Sequence, residues 1–168
     1  LFFSEITLND SLFASGTEVI QEGEYILKVK AADRCGNETT QVIHFEIDKT
    51  LPLIQVEGVE NGMNYKSPVT PVITITELNP GLAVITLNNE PYISGTTLIK
   101  DDPYVLKIEV SDKAGNKAEM IINFLVDQSS PEILISGVEN EKCYPVSITP
   151  DIHIKDSMQL GSVYNLKT

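Results

Sequence analysis

The sequence contains no tryptophan, and aromatic residues make up only 7% of its 168 positions. Sugar-binding surfaces need exposed aromatic platforms or dense polar clusters, and a tryptophan platform is excluded here. No stretch approaches the ~18 uninterrupted apolar residues that a membrane-spanning helix requires. Leu1-Phe2-Phe3 is too short for the core of a signal peptide. Positive charge is scarce: 12 Lys and Arg face 24 Asp and Glu, for a formal net charge of −12 and a pI near 4.5. That balance argues against nucleic acid and anionic membrane surfaces as partners. There is no Gly-x-Ser-x-Gly, no glycine-rich phosphate loop and no Cys-x-x-Cys, and no two carboxylates are paired by spacing as glycoside hydrolysis requires. Nowhere do apolar residues recur at helical spacing between helix caps, so the chain is expected to be all-β and not an enzyme.

What is present is an internal repeat with a period of about 79 residues. Ile6-Thr7-Leu8-Asn9 matches Ile85-Thr86-Leu87-Asn88, and Asp33-x-x-Gly36-Asn37 matches Asp112-x-x-Gly115-Asn116. Gly58-Val59-Glu60-Asn61 matches Gly137-Val138-Glu139-Asn140. Structural modules are often duplicated in tandem, whereas catalytic sites rarely are. Cys35 and Cys143 fall opposite Ala114 and Asn64, outside the shared pattern, and a framework disulfide would recur in each unit; both are expected to be free thiols. His44 and His153 do not recur either, which makes them surface strand residues rather than catalytic bases.

Within the period, Tyr25, Leu27, Val29 and Ala31 alternate with Ile26, Lys28, Lys30 and Ala32, as Tyr104, Leu106, Ile108 and Val110 do with Val105, Lys107, Glu109 and Ser111. Period-two alternation marks strands with one buried face. Asp-x-x-Gly-Asn then reads as a hairpin turn, leading into strands carrying Ile43, Phe45 and Ile47 or Ile122, Phe124 and Val126. Further strands are expected around Ile54 and Val56, from Val69 to Ile75, from Val84 to Leu87 and from Thr96 to Ile99. About seven short strands per unit make a two-sheet sandwich. Asp48-Lys49-Thr50-Leu51-Pro52 and Asp127-Gln128-Ser129-Ser130-Pro131 mark the joins, since a polar run closed by proline stops pairing and stiffens the connection. The resulting division is residues 1–48, the second half of one unit; 49–127, a complete unit; and 128–168, the first half of another. The chain is thus expected to be a piece of a longer protein. The half-units, lacking partner strands, should be less stable and should invite head-to-tail association.

Glu22-Gly23-Glu24-Tyr25-Ile26-Leu27 and Asp101-Asp102-Pro103-Tyr104-Val105-Leu106 resemble the sixth strand of immunoglobulin-like domains, with Leu27 and Leu106 where a core cysteine would stand. The longer string Tyr-x-Leu-x-Val-x-x-x-Asp-x-x-Gly-Asn, then Phe-x-x-Asp and proline, is similar to tandem bacterial Ig-like (Big-type) repeats, as is Gly58-Val59-Glu60-Asn61-Gly62. The resemblance covers nearly the whole chain. It implies an immunoglobulin-like β-sandwich in a bacterial cell-surface, cell-wall or secreted protein, with neighbouring repeats of the same chain as partners.

An Ig-like arrangement would bring Asp112, Asn116 and Glu77 to the end of the middle unit at which Asp48 arrives. These oxygens are candidate ligands for an interdomain calcium ion, which takes six to eight. Capping of the turn by Asp112, or neutralisation by Lys49 and Lys113, would explain the same residues without metal. No other cofactor is expected. Tyr92 is the candidate ligand-binding aromatic. The expected function is a spacer or stalk that presents a functional domain away from a bacterial surface. The alternatives are an adhesive module binding host or polysaccharide ligands, and a non-catalytic accessory segment of a secreted carbohydrate-active enzyme.

Overall fold

The structure, a computed structural model, describes residues 3–156 and residue 158. Positions 1, 2, 157 and 159–168, which belong to the first and last expected segments, lie outside the described residues. The chain is all-β. Its strands are β1 (Phe3–Leu8), β2 (Ser11–Leu12), β3 (Gly23–Ala32), β4 (Glu38–Ile47), β5 (Leu53–Glu57), β6 (Asn64–Tyr65), β7 (Val72–Thr76), β8 (Pro80–Leu87), β9 (Glu90–Pro91), β10 (Asp102–Asp112), β11 (Lys117–Val126), β12 (Glu132–Ser136) and β13 (Asp151–Lys155).

They form a four-stranded sheet in the order β2-β1-β3-β4, a five-stranded sheet in the order β6-β11-β10-β8-β9, and two strand pairs, β5-β7 and β12-β13. One compact unit comprises the segment ending at Pro52 with Glu77–Leu82 and Ser111–Lys117; the other comprises Leu53–Thr76, Ala83–Val110 and the segment from Ala118 onward.

The second unit is sandwich-like. Leu106, Ile108 and Val126 are completely shielded from solvent, and Tyr104, Val110, Ile122 and Phe124 are buried with them. Ile54, Val56, Ile73 and Ile75, from β5 and β7, pack on this layer from the other side. Alternation produces the arrangement: every second side chain of β10 and β11 points inward, and the residues between carry the charge, as where Lys107 pairs with Glu109 and Glu119 on the outer face.

Turn chemistry fixes the ends of strands. Asn9 and Asp10 (φ 47° and 61°) and Asn88 and Asn89 (φ 50° and 69°) make two-residue turns with positive φ at both positions, the form that suits strand twist. Both turns are held by an asparagine side chain: Asn9 Oδ1 accepts the Ile26 N–H at 2.8 Å, and Asn88 Oδ1 accepts the Val105 N–H at 2.8 Å. The tyrosines at the start of β3 and β10 also act alike, with Tyr25 Oη donating to the Gln21 carbonyl at 2.8 Å and Tyr104 Oη to the Lys100 carbonyl at 3.0 Å. At Gly58 the backbone is left-handed (φ +85°), and a Cβ there would lie 2.3 Å from the Thr70 carbonyl oxygen. Only glycine fits that crossing.

The strand expected from Val69 to Ile75 is divided. Val69 exchanges backbone hydrogen bonds with Leu98, Pro71 has no N–H to give, and regular pairing starts at Val72. Thr96 to Ile99, expected as a strand, contributes only that bridge at Leu98. Two short strands that alternation did not reveal, β6 and β9, widen the second sheet on both sides.

Candidate metal centre

Three carboxylates expected from the sequence meet within the first unit. Asp48 directly follows β4, Glu77 directly follows β7, and Asp112 ends β10. One oxygen from each lies within 4.8 Å of the others. Asp112 is buried, while Asp48 and Glu77 are half-buried.

Each side chain is fixed by its own turn. Asp112 Oδ1 accepts the Gly115 and Asn116 N–H groups at 2.7 and 2.8 Å, and Oδ2 accepts Asn116 Nδ2 at 2.7 Å. Asp33 holds the same bonds to Asn37 in an exposed turn. Capping therefore accounts for the aspartate in both turns; the company of Asp48 and Glu77 is particular to Asp112. Gly81 permits the approach, since a Cβ at that position would fall 2.6 Å from the Asp112 carbonyl oxygen. The Lys113 N–H bonds to the Asn79 carbonyl at 2.9 Å, holding the Glu77 segment against the turn.

Burial acts to raise the Asp112 carboxyl. The hydrogen bonds from the Asn116 side chain and from the backbone of Asn116, Gly115 and Ala114 outweigh it, and hold the group below its ordinary value of 3.8.

The charge of the cluster is countered by amides. Asn79 Nδ2 donates to Asp48 Oδ2 at 3.2 Å and to Glu46 Oε1 at 2.8 Å, and the Asn79 N–H donates to Glu77 Oε1 at 3.0 Å. Asn116 turns its NH2 group, not its Oδ1, toward the others, donating to Asp112 Oδ2 and to the Asp48 carbonyl. Lys49 sends its ammonium to the Ile20 carbonyl instead. Among the described residues, no lysine or arginine pairs with any of the three carboxylates. Glu77 Oε2 is shielded from solvent and has no hydrogen-bond partner. An orphaned carboxylate oxygen beside two further carboxylates is a costly arrangement unless a cation meets it. The donor set is all oxygen, which suits a hard cation such as calcium, with backbone carbonyls and water needed to reach six to eight ligands.

Met158 stands 79 residues after Asn79, so the internal sequence matches could not single Asn79 out. The turn composition of Glu77-Leu78-Asn79-Pro80-Gly81 was the signal available.

Tyr92 lies elsewhere, in the core of the second unit, 9% exposed. Its hydroxyl bonds to the Thr96 carbonyl at 2.7 Å and the Pro71 carbonyl at 3.1 Å, and burial pushes its phenol above the usual range. A ring so placed offers no face to a sugar, and the expectation of a ligand platform there gives way to a packing role. Cys35 and Cys143 are exposed and unpaired; His44 is exposed, and His153 Nε2 lies 3.0 Å from Asp151 Oδ2.

No family model matches the chain, and no curated protein matches it.

Proposed function

We propose that the chain is a spacer segment of a bacterial surface or secreted protein, built from tandem immunoglobulin-like sandwich units that hold a functional domain away from its anchor. The observation that carries this reading is the parallel pairing of β6 with β11. β6 lies near the start of the middle repeat and β11 near its end. Tension along the chain drives the two strands in opposite directions along their common axis. The bonds joining them, Gly62 N–H to Asn123 O, Leu125 N–H to Met63 O and Asp127 N–H to Tyr65 O, then share the load and must break together. A module held in this way resists extension.

The immunoglobulin-like class draws support from the tyrosine bonds at the start of β3 and β10, which run back to the backbone upstream as the resemblance implies. The tandem reading draws support from matched contacts at the joins. Lys49 Nζ bonds to the Ile20 carbonyl, and Gln128 Nε2, at the corresponding place, bonds to the Ile99 carbonyl. Asp48 Oδ1 accepts the Thr50 N–H, and Asp127 Oδ1 accepts the Ser129 N–H. Such contacts tie each polar join to the end of the strand layer before it and limit bending.

Calcium at Asp48, Glu77 and Asp112 fits the same role, because it would tie together three segments distant in sequence. The unpartnered Glu77 Oε2 favours that reading over turn capping alone. The adhesive alternative loses its aromatic platform with the burial of Tyr92.

Retention of the chain on arrays of glycans and matrix proteins separates spacer from adhesin. A spacer shows no saturable binding. Saturable retention abolished by a surface substitution that leaves the fold intact would replace the spacer reading with the adhesive one.

A further inference from the structure

The sequence contains one Asn-Gly step, Asn61-Gly62. Asparagine in that setting is chemically labile, because a following glycine puts no side chain between its own backbone nitrogen and the asparagine Cγ. Both residues are exposed, so water reaches them. They form the centre of a turn in which the Met63 N–H donates to the Glu60 carbonyl at 3.3 Å and Gly62 is left-handed at φ +80°. The turn does not itself demand glycine. Glu141 takes the same left-handed place (φ 60°) in the turn from Glu139 to Lys142, where the Lys142 N–H donates to the Glu139 carbonyl. Glycine at position 62 is what makes the asparagine before it reactive.

The fold holds the reacting atoms in other bonds. The Gly62 N–H, whose nitrogen would attack, donates to the Asn123 carbonyl at 2.6 Å. Asn61 Oδ1 accepts the Asn123 N–H at 2.8 Å, which fixes the side-chain amide that would be attacked. The backbone of Asn123 thus engages both partners of the reaction. Tyr65 steadies the same turn, its Oη accepting the Glu60 N–H at 2.8 Å. Asn61, Gly62, Tyr65 and Asn123 all belong to the second unit.

We propose that Asn61 is a deamidation site gated by release of this turn from Asn123. On release, the Gly62 nitrogen gives up its proton and bonds to Asn61 Cγ, the Cγ–Nδ2 bond breaks, and the amide leaves as ammonia with that proton. Water then opens the succinimide at either carbonyl, giving aspartate or isoaspartate. No oxidant, and no co-reactant besides water, takes part. The isoaspartyl product carries an extra backbone carbon between position 61 and Gly62, so the two groups no longer span the carbonyl and N–H of Asn123. Opening is thereby recorded as a turn that cannot close again. The proposal does not depend on the spacer reading.

Incubation of the intact chain in mildly alkaline buffer tests this, once folded and once unfolded in guanidinium chloride. Peptide mapping by mass spectrometry follows the replacement of NH2 by OH at Asn61. The folded chain should react at least about tenfold more slowly, and the slow-down should match the hydrogen-exchange protection of the Gly62 N–H within about threefold, since both need the same opening. Tyr65→Phe, which frees the Glu60 N–H, should move the two factors together. The isoaspartyl form, separated by its added charge and refolded, should have lost protection at Gly62. Equal rates in the folded and unfolded chain, or no reaction in either, would overturn the proposal. So would a slow-down that departs from the Gly62 protection, or an isoaspartyl form in which that protection is intact.

Discussion

Replacing Leu106 by alanine, and Leu27 by alanine in a parallel variant, compares one side chain in two degrees of enclosure. Leu106 is fully buried, with Ile108 and Val126 equally enclosed near it. A site packed this completely relaxes little when emptied, so the lost transfer energy and the cavity both count, and the cost should be about 3–5 kcal/mol. Leu27 occupies the matching place in β3 but is only half-buried, opposite Leu8 and Ile43. Much of its surface is already in water, no closed cavity forms, and the cost should be about 1–1.5 kcal/mol. For a domain of this size each kcal/mol lowers the midpoint by roughly 4–8 °C, which separates the variants by at least about 6 °C. Urea unfolding followed by far-UV circular dichroism, with hydrogen exchange resolving β3-β4 from β10-β11, would read both. If Leu27→Ala costs as much as Leu106→Ala, the link drawn between enclosure and cost is refuted.

Calcium should raise the melting temperature of EDTA-treated chain. At about 10 mM, and with a dissociation constant of about 0.1–1 mM as in extracellular modules, the gain is about 1.4–2.7 kcal/mol. Glu77→Gln should abolish most of the rise, and an unchanged melt would leave the carboxylates as turn caps. On acidification, Asp33 and Asp112 contribute in a definite direction. Both are held below 3.8 in the folded chain, so their stabilisation is complete above that value and is lost as pH falls through their lowered folded values. Asp112→Asn should therefore flatten part of the stability loss below about pH 4, and the loss should be unaltered if its hydrogen bonds do not depress it. Gly58→Ala should destabilise by at least about 2 kcal/mol and Gly62→Ala by about 1 kcal/mol, because both are left-handed but only the former meets a carbonyl oxygen. Equal costs in thermal melts would mean that the Thr70 contact yields freely.

Much of the fold was legible because alternation and turn chemistry are local. Tyr104 to Val110 could be read as a strand with one buried face from residue types alone, and the Asp-x-x-Gly-Asn string as the turn that follows. The contribution of Leu98 was not, since its one bridge to Val69 depends on where another segment passes. The exposure of Leu27 is a further case: sequence assigns it to an apolar face, but only tertiary structure decides whether that face is covered.

The carboxylate cluster was legible because a two-sheet arrangement carries the Asp-x-x-Gly-Asn turn, the loop at Glu77 and the incoming Asp48 to one end. The direction of the Asn116 amide was not, because an amide offers a donor and an acceptor and the surrounding charge decides which is used. Tyr92 was less direct: recurrence with Phe13 at core-like spacing favours packing over ligand contact without deciding between them, and its burial adds weight to packing.

The most direct test of a mechanical role is to stretch single molecules of the chain, tethered at the two ends. Shear loading of β6 against β11 predicts an abrupt force peak followed by a contour-length gain on the order of 25 nm, for about 79 residues at 3.3–3.6 Å each. Asp127→Pro, which removes one of the shared donors, should lower the peak without changing the gain. Smooth extension without a peak, or a peak unmoved by that substitution, would contradict the account.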